Sequence, residues 1–290
     1  MPTVLVTGAS TGIGRATALA LAPTHTVLAG VRRLQDAPPG TTAVELDITN
    51  SEQLAALRDI PQLDALVNNA GIAVTGPLEY MPLDELRRQL EVNAIGQLAV
   101  IQAVMAQLRA ARGRIVNVSS IGGRMALPLY GPYAASKYAL EALSDSLRRE
   151  QRDVKVIVIE PGAIATPIWD RGIARADAIW ESVPAEGKTR YDALRTTLRD
   201  RGKQLGTEGV PVEEAAAVIV NALTTEKPRA RYIIGRQAKV QATIGRLLPD
   251  RAADALLARL FNNRAKSASA ARSGRRRPIV AWTFAWRPIT

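Results

Sequence analysis

The sequence has no cysteine and a single histidine, His25. Without cysteine, the chain can form no disulfide, no thiolate nucleophile and no cysteine-bound zinc or iron–sulfur centre. With one histidine, a multi-histidine metal site is excluded, and a Ser–His–Asp triad would depend on His25 alone. Because His25 follows the first predicted helix, away from the predicted site, we interpret it as a structural or surface residue. Chemistry must therefore come from other polar side chains or from a cofactor.

Long apolar segments are also missing. No run of about 18 or more apolar residues occurs, which argues against a membrane-spanning helix. The amino terminus enters an apolar strand at once and lacks the charged and apolar regions of a signal peptide. The composition, 47% hydrophobic and 22% charged over 290 residues, is ordinary for a folded globule with a sizeable core. We therefore expect a cytoplasmic globular protein.

Positive charge is concentrated at the carboxyl end. The net charge is +11, and residues 264–290 contain seven lysines and arginines and no acid, which leaves +4 for the other 263 residues. This end also contains Trp282 and Trp286. We expect 263–290 to be a basic, disordered tail that binds no nucleic acid, with weak membrane contact through the tail left open. A predicted helical stretch at 250–261 precedes the tail. It could pack on the body, join an oligomer or lie on a membrane, and the sequence does not distinguish these roles.

Short β-branched runs alternate with helical stretches along the chain, which predicts a doubly wound α/β fold of the Rossmann type with a parallel sheet. The apolar runs are continuous, as in strands covered on both faces. We predict one domain over 1–262, in which the long, irregular segment 166–210 (the lid segment) covers the substrate. The predicted strands are 4–6, 26–31, 43–46, 65–67, 114–118, 154–159 and 232–234, and the main predicted helices are 15–21, 83–109, 134–150 and 212–223.

A glycine-rich turn joins the first predicted strand to the first predicted helix. Gly8 permits a tight turn, Gly12 permits close approach to a pyrophosphate, and Gly14 permits close packing of the helix on the strand, with Ser10 and Ile13 between them. The free N–H groups at the start of a helix bind anions. The spacing is G-x-x-x-G-x-G rather than G-x-G-x-x-G, and a tight turn that binds nothing is the alternative. The context of strand, turn and helix favours a dinucleotide.

The end of the second predicted strand indicates which dinucleotide is bound. An acid at this position would bind a ribose 2′-hydroxyl and repel a 2′-phosphate, but Val31 occupies it. Arg32 and Arg33 follow, and Arg15 lies in the glycine turn. Because arginine forms charge-assisted hydrogen bonds with phosphate, we expect NADP(H) to be preferred, with NAD(H) possible. The alternative is that these arginines are simply solvated.

Tyr133 and Lys137 are spaced to share one face of a helix. The pKa of tyrosine is normally about 10, and a nearby ammonium lowers it toward neutrality, which suits acid–base catalysis. Ser120 ends an apolar strand thirteen residues earlier, where ligands bind in α/β sheets. It would stabilise charge on a substrate oxygen. Ser119 is the alternative for this role, since neighbouring strand residues face opposite sides.

Taken together, these motifs resemble the short-chain dehydrogenase/reductase family. Four stretches carry the resemblance over about residues 3–240: TGASTGIG at 7–14, NNAG at 68–71, the Ser120 strand with Tyr133-x-x-x-Lys137, and Pro161-Gly162. The resemblance implies a single seven-stranded parallel sheet. The number of residues between serine and tyrosine in this family also selects Ser120 over Ser119.

The resemblance further implies the roles of single residues. Tyr133 would be the catalytic acid and base, Lys137 would also bind the nicotinamide ribose, and Ser120 would orient the substrate oxygen. Asn93 would help to anchor a proton-relay water, although it could instead only satisfy backbone groups. Asp47 would contact adenine, or be merely a turn residue. The remaining residues implied to lie along the cofactor are Ile48, Asn69, Ala70, Gly71, Pro161, Gly162, Ile164 and Thr166.

The expected reaction interconverts a secondary alcohol and a ketone, or a primary alcohol and an aldehyde, without a metal. Apolar residues of the lid segment and of the run 122–132 suit a lipid-, steroid- or retinoid-like small molecule, but the former could equally be helix core. By resemblance, the chain forms a homodimer or homotetramer through helices 83–109 and 134–150. Two alternatives stay open: an NADPH-binding regulator without turnover, and a nucleic-acid or membrane binder that acts through the basic tail.

Overall fold

The computed structural model describes residues 1–255 and 257–258, except for the side chains of 244–246. Residues 1–248 form one compact unit that contains the whole sheet. A second unit begins at Pro249, and residues 250–255 in it are helical, within the stretch predicted at 250–261. The predicted disordered tail lies outside the described residues.

Seven parallel strands form one sheet in the order β3-β2-β1-β4-β5-β6-β7, which confirms the predicted fold class. Each strand lies within one or two residues of its predicted position. The central strands consist of valine, isoleucine and leucine and are buried, as parallel strands covered on both faces require. The strands are β1 (Thr3–Thr7), β2 (Thr26–Val31), β3 (Thr42–Glu45), β4 (Ala65–Asn68), β5 (Arg114–Val118), β6 (Lys155–Pro161) and β7 (Arg231–Ile234).

Helices cover both faces of the sheet, and side chains alternate along each strand between two core clusters. In β1, Val4 and Val6 pack toward α1 and α8, whereas Leu5 packs toward α4. None of the described helices is long and apolar enough to cross a bilayer. The helices are α1 (Gly12–Leu21), α2 (Ser51–Ala56), α3 (Leu83–Leu90), α4 (Gly96–Ala110), α5 (Gly131–Glu150), α6 (Ile168–Glu181), α7 (Ala185–Glu208), α8 (Val212–Thr224) and α9 (Arg236–Leu247).

Two sequence-based expectations about helices were wrong. The stretch predicted as one helix at 83–109 is divided by a π-helical turn, Glu91–Ile95, between α3 and α4. The lid segment is not irregular, because it forms the helices α6 and α7. The α7 sequence is rich in polar helix formers and poor in apolar residues, so its helical period is weak. Ion pairs hold α7 on α6: Asp177 lies 2.6 Å from Arg195 and 2.8 Å from Arg199.

The chain leaves β1 toward β2 on one side and returns to β4 on the other side. Such a switch in strand order opens a crevice at the carboxyl ends of the strands, where α/β proteins bind ligands. The residues that follow β1, β2, β4, β5 and β6 therefore meet at this edge, and they include most of the predicted site residues.

Candidate active site

The turn after β1 has the backbone that its glycines predict. Gly8 and Gly12 adopt positive φ angles of 64° and 56°. A Cβ at Gly14 would lie 2.4 Å from the Gly8 carbonyl oxygen, so only glycine fits there. Thr11 caps α1 without a side-chain hydrogen bond, and the first turn of α1 contains no acid. Because the N–H groups at this helix end have no anionic side chain nearby, the turn fits the pyrophosphate of a dinucleotide. Ser10 and Ile13 are half-buried within it.

The segment after β4 braces this turn. The Thr7 hydroxyl oxygen accepts hydrogen bonds from the main-chain N–H groups of Asn69, at 2.9 Å, and Ala70, at 3.0 Å. The Asn69 side chain donates back to the Thr7 carbonyl at 3.0 Å, so it faces the turn. Gly71, which follows Ala70, is exposed.

The end of β2 carries no acid. Val31 is only 2% exposed and belongs to the core, whereas Arg32 is exposed. Arg33 pairs with Asp36 at 2.8 Å. In the part of the chain that the structure describes, the Arg32 guanidinium makes no hydrogen bond or ion pair. Arg32 is thus available to a bound anion, and Arg33 is already paired.

Asp47 lies near Arg32 in the structure. Burial alone would raise the pKa of Asp47, but hydrogen bonds from Thr49 and the charges of Arg32 and Arg88 lower it. Asp47 also forms the turn that begins at this point, since its Oδ1 accepts from the Thr49 N–H at 3.0 Å. The side chain of Ile48 is 4% exposed and packs in the core, so only its backbone can reach a ligand.

Tyr133, Ser120 and Lys137 are brought together where β5 meets α5. The Tyr133 phenol is hydrogen-bonded to the Ser120 side chain. The Lys137 ammonium, on a residue only 5% exposed, lies 6.0 Å from the centre of the Tyr133 ring. Lys137 donates a hydrogen bond to the Val118 carbonyl at the end of β5. A phenol, a hydroxyl and an ammonium therefore converge at the crevice.

The acidities of these groups differ from the expectation. Burial raises the pKa of Tyr133, and its hydrogen bond with Ser120 only partly offsets this rise. The prediction that Lys137 lowers the pKa of Tyr133 was wrong for this structure, because burial dominates. Burial also lowers the pKa of Lys137 to about 8, against the opposing charge of Glu141. At neutral pH the phenol is therefore protonated and the ammonium is still charged.

The two neighbouring serines face different surroundings. The Ser120 Oγ accepts from the Gly122 N–H at 3.0 Å on the Tyr133 side. The Ser119 Oγ is buried beside Gly123 and has no hydrogen-bond partner among the described residues. Only Ser120 is placed to contact a ligand that also contacts Tyr133.

The segment after β6 reaches over the glycine turn. Pro161 ends β6, and the Gly162 N–H donates to the Ile234 carbonyl at 2.9 Å. Ile164 is 3% exposed and packs in the core. Thr166 then contacts the turn, because a Cβ at Gly12 would lie 3.3 Å from the Thr166 Cγ2.

Two loops flank the approach to Tyr133. The Gly76 N–H donates a 2.8 Å hydrogen bond to the carbonyl of Leu129, which has a positive φ of 63°. The Leu78 side chain packs beside Gly131 at the start of α5, yet is 65% exposed. Tyr130 is half-buried in this region, and desolvation of its phenol raises its pKa to about 12.

Comparison with known proteins identifies the family. Residues 2–175 match the family model described as short chain dehydrogenase. The chain belongs to the short-chain dehydrogenase/reductase family. Its relatives are oxidoreductases that act on CH–OH groups with NAD(P), and this chain is one of these enzymes.

Individual relatives extend over most of this short-chain dehydrogenase. It is 33% identical over 272 residues to an NADPH-dependent 3-dehydrocapnine reductase from Ornithobacterium rhinotracheale, covering 86% of this chain and 94% of that one. It is 33% identical over 289 residues to retinol dehydrogenase 5 of Mus musculus, covering 92% and 91%. A short-chain dehydrogenase from Burkholderia cenocepacia J2315, solved in complex with NADP, is 30% identical, with a TM-score of 0.68 over 89% of this chain and 97% of that one.

In this short-chain dehydrogenase, Asn93 lies in the π-helical turn and is fully buried. Its Oδ1 accepts from the Ile72 N–H at 2.9 Å, and its Nδ2 donates to the Ile72 carbonyl at 2.9 Å. It thus satisfies backbone groups, as the alternative interpretation of Asn93 predicts, and fixes the loop after β4 beside α5. π-Helical turns occur often at functional sites, and this one places the Asn93 side chain against Gly71.

Sequence reasoning missed the two amides on either side of Asn93. Gln89 and Gln97 are both fully buried. The Gln89 Oε1 accepts from the Val74 N–H at 2.6 Å, and the Gln97 Nε2 donates to the Ala70 carbonyl at 2.8 Å. The three amides recur at every fourth residue, and this spacing in an otherwise amphipathic stretch was the available signal.

Ser136 was also missed, although it lies inside the Tyr133-x-x-x-Lys137 motif. Its hydroxyl donates to the Tyr133 carbonyl at 2.7 Å and accepts from the Gln89 Nε2 at 3.1 Å and the Asn93 Nδ2 at 3.2 Å. Ser136 therefore joins the row of buried amides to the turn of α5 that carries Tyr133.

Proposed function

We propose that this protein is an NADP(H)-dependent oxidoreductase that interconverts a secondary alcohol and a ketone, or a primary alcohol and an aldehyde. The observation that carries the proposal is the hydrogen bond between Tyr133 and Ser120, with the charged Lys137 buried behind them at the switch point of the sheet. Tyr133, Ser120 and Lys137 are the proposed catalytic residues. Asn93 positions the loop beside them.

The acidities favour carbonyl reduction at neutral pH. Because burial raises the pKa of Tyr133, the phenol keeps its proton and can donate it to a substrate oxygen. Ser120 provides a second hydrogen bond that stabilises negative charge on the same oxygen. Bound nicotinamide supplies the hydride. In the reverse direction, Tyr133 must first lose its proton, which requires a higher pH.

The preference for NADP(H) rests on the end of β2. Val31 leaves no carboxylate there to repel a 2′-phosphate, and Arg32 is exposed and has no carboxylate partner at hydrogen-bond distance among the residues that the structure describes. The 3-dehydrocapnine reductase is named as NADPH-dependent, and the Burkholderia cenocepacia protein was solved with NADP. The other proposed cofactor residues are Gly8, Ser10, Gly12, Ile13, Gly14, Asp47, Ile48, Asn69, Ala70, Gly71, Pro161, Gly162, Ile164 and Thr166.

An apolar, lipid-, steroid- or retinoid-like substrate is supported by Leu78, which is largely exposed next to the helix that carries Tyr133. The resemblance to a retinol dehydrogenase agrees with this class. The lid segment supports it less than expected. Trp180 is buried with its ring 4.7 Å from the Arg195 guanidinium of α7, and Ile173 packs beside Gly202 of α7, so these two residues hold α6 and α7 together. Ile179 instead packs with Val74 and Met81.

The proposed assembly is a homodimer or homotetramer formed through α4 and α5. Tyr138 of α5 is 45% exposed, and Ile95, just before α4, is 54% exposed, which gives these helices an apolar outer face. The domain boundary at 262, the cytoplasmic location and the roles of the basic tail stay predictions.

A panel of ketones, aldehydes and alcohols tests the proposed function. Turnover is followed by NADPH absorbance, with NADH measured in parallel and with a chain shortened to residues 1–262 as a second sample. We expect reduction of apolar carbonyls by NADPH, retained in the shortened chain. Tight NADPH binding without turnover on any compound would favour a regulator, and a lower Kd for NADH than for NADPH would refute the cofactor preference.

A further inference from the structure

Arg171 lies in the first turn of α6 and reaches back to the glycine turn. Its Nη2 donates a 2.7 Å hydrogen bond to the hydroxyl oxygen of Thr11, a residue 160 positions earlier in the chain. Thr11 is the residue that precedes α1 at the start of the helix. A side chain of the lid segment is therefore in direct contact with the turn that fits a pyrophosphate.

The side chains of two further lid-segment residues approach the same turn. A Cβ at Gly12 would lie 3.3 Å from the Thr166 Cγ2 and 4.0 Å from the Pro167 Cδ. The start of α6 and the glycine turn are thus packed together, and Arg171 is hydrogen-bonded to the residue that precedes α1.

The charges around this contact are unbalanced. No acid occurs in the first turn of α1, and the Thr11 side chain makes no cap for it. Arg171 otherwise donates only to the Pro167 carbonyl, at 3.3 Å, and has no carboxylate partner among the described residues. In contrast, Arg175, Arg195 and Arg199 of the same lid segment each pair with a carboxylate. Asp170, in the first turn of α6, is the neighbouring acid, but it forms no ion pair with Arg171 among the described residues. A guanidinium without an ion-pair partner beside a positive helix end favours a bound anion.

We propose that Arg171 binds the pyrophosphate of the cofactor and thereby holds the lid segment closed over it. This inference rests on the proposed NADP(H)-dependent function. On binding, the guanidinium exchanges the neutral Thr11 hydroxyl for a charged phosphate oxygen, which accepts a stronger hydrogen bond. Since the same side chain belongs to α6, cofactor binding and closure of the lid segment stabilise each other.

The pyrophosphate is common to NADPH and NADH, whereas the 2′-phosphate belongs to NADPH alone. This difference separates Arg171 from Arg32. We expect Arg171→Gln to raise the Kd of both cofactors by about tenfold to a hundredfold, with their ratio unchanged. Arg32→Gln should raise the Kd of NADPH alone. Arg199→Gln is the matched control, because it removes the same charge from the lid segment away from the turn, and Arg195 still pairs with Asp177.

The measurement is fluorescence titration of the full chain with each cofactor, together with chymotrypsin cleavage of the lid segment at saturating NADPH. Wild type and Arg199→Gln should be protected by NADPH, and Arg171→Gln should be cleaved faster. Arg171→Lys, which keeps the charge, should lose less affinity than Arg171→Gln. Thermal unfolding without cofactor checks that each variant is folded.

Three outcomes decide between the proposals. Unchanged affinity of Arg171→Gln for both cofactors overturns the assignment of Arg171. A loss of affinity for NADPH alone also overturns it, because Arg171 would then bind the 2′-phosphate. An equal loss of affinity for both cofactors supports the assignment of Arg171. If the wild-type protein binds NADH more tightly than NADPH, this assignment still holds and only the proposed preference for NADP(H) fails.

Discussion

The Lys137 ammonium donates a hydrogen bond of 2.9 Å to the main-chain carbonyl of Val118. Val118 ends β5 two residues before Ser120, and Lys137 follows Tyr133 by one helical turn. This contact therefore ties the strand that carries the hydroxyl to the helix that carries the phenol. Removing the ammonium would leave a buried carbonyl without its partner, so Lys137 contributes position as well as charge.

Tyr133→Phe should bind NADPH as wild type does and lose turnover by at least about a hundredfold, because the proton donor is removed while the ring stays. Steady-state reduction rates and NADPH titration measure the two effects separately. Tyr138→Phe, on an exposed position of the same helix, is the control and should be unaffected. A Tyr133→Phe variant with wild-type turnover would disprove the acid assignment.

Arg32→Gln should weaken NADPH binding by about tenfold and leave NADH binding unchanged, since a charge-assisted hydrogen bond to the 2′-phosphate is lost. Arg33→Gln is the matched control, because Arg33 already pairs with Asp36. The Kd values for both cofactors in both variants give the answer. Equal changes in the Kd of NADPH for the two substitutions would show that Arg32 does not bind the 2′-phosphate.

The rate of carbonyl reduction should fall as the pH rises through about 8, where burial places the pKa of Lys137. The lysine is charged below this pH and neutral above it. Tyr133 stays protonated over the same range, because burial raises its pKa. The pH profile of kcat/KM for NADPH reports the free enzyme and measures this step. A profile that is flat between pH 7 and about 9 would contradict the assignment of Lys137.

Gly14→Ala should destabilise the fold by about 1–3 kcal/mol and weaken cofactor binding, because its Cβ would lie 2.4 Å from the backbone oxygen of Gly8. Gly206→Ala in α7 is the opposite case, because the new Cβ would contact only Trp169, at 3.5 Å. Since alanine favours the helix over glycine, this substitution should raise the free energy of unfolding by about 0.5–1 kcal/mol. Urea unfolding of both variants tests the pair. The prediction fails should both substitutions be neutral.

Arg231→Met should lower the free energy of unfolding by about 3 kcal/mol, because one guanidinium pairs with Glu141, Asp145 and the fully buried Glu160. Burial raises the pKa of Glu160 even with its arginine partners present. Arg87→Met, which breaks a surface pair with Asp84, should cost at most about 1 kcal/mol. Denaturant unfolding compares the two, and equal losses would show that the buried network adds nothing.

The parallel sheet could be predicted from sequence because its strands are continuous apolar runs separated by helical stretches, and β2 and β5 have their predicted ends. The glycine turn could be predicted because positive φ angles at Gly8 and Gly12 depend on local chemistry. In contrast, the π-helical turn adds a single residue to a helix and leaves no distinct pattern. The helix α7 depends on polar helix formers and on ion pairs with α6, neither of which produces an apolar period.

The side chains around the site were harder to predict than its centre. Tyr133, Lys137 and Ser120 belong to a recognisable motif, but Arg171 meets Thr11 only through tertiary structure. The acidity of Tyr133 was predicted in the wrong direction, since the motif shows the lysine and not the burial of the phenol. The buried position of Glu160 could have been predicted, because this residue is an acid at the end of an otherwise apolar strand.

The hydrogen bond between the Gly76 N–H and the Leu129 carbonyl joins the two loops beside Tyr133. A change in the backbone of one loop must therefore move the other loop or break this bond. Attempts to engineer the enzyme for bulkier or smaller substrates should vary both loops in a single combinatorial library, because redesign of either one alone will be resisted by its neighbour.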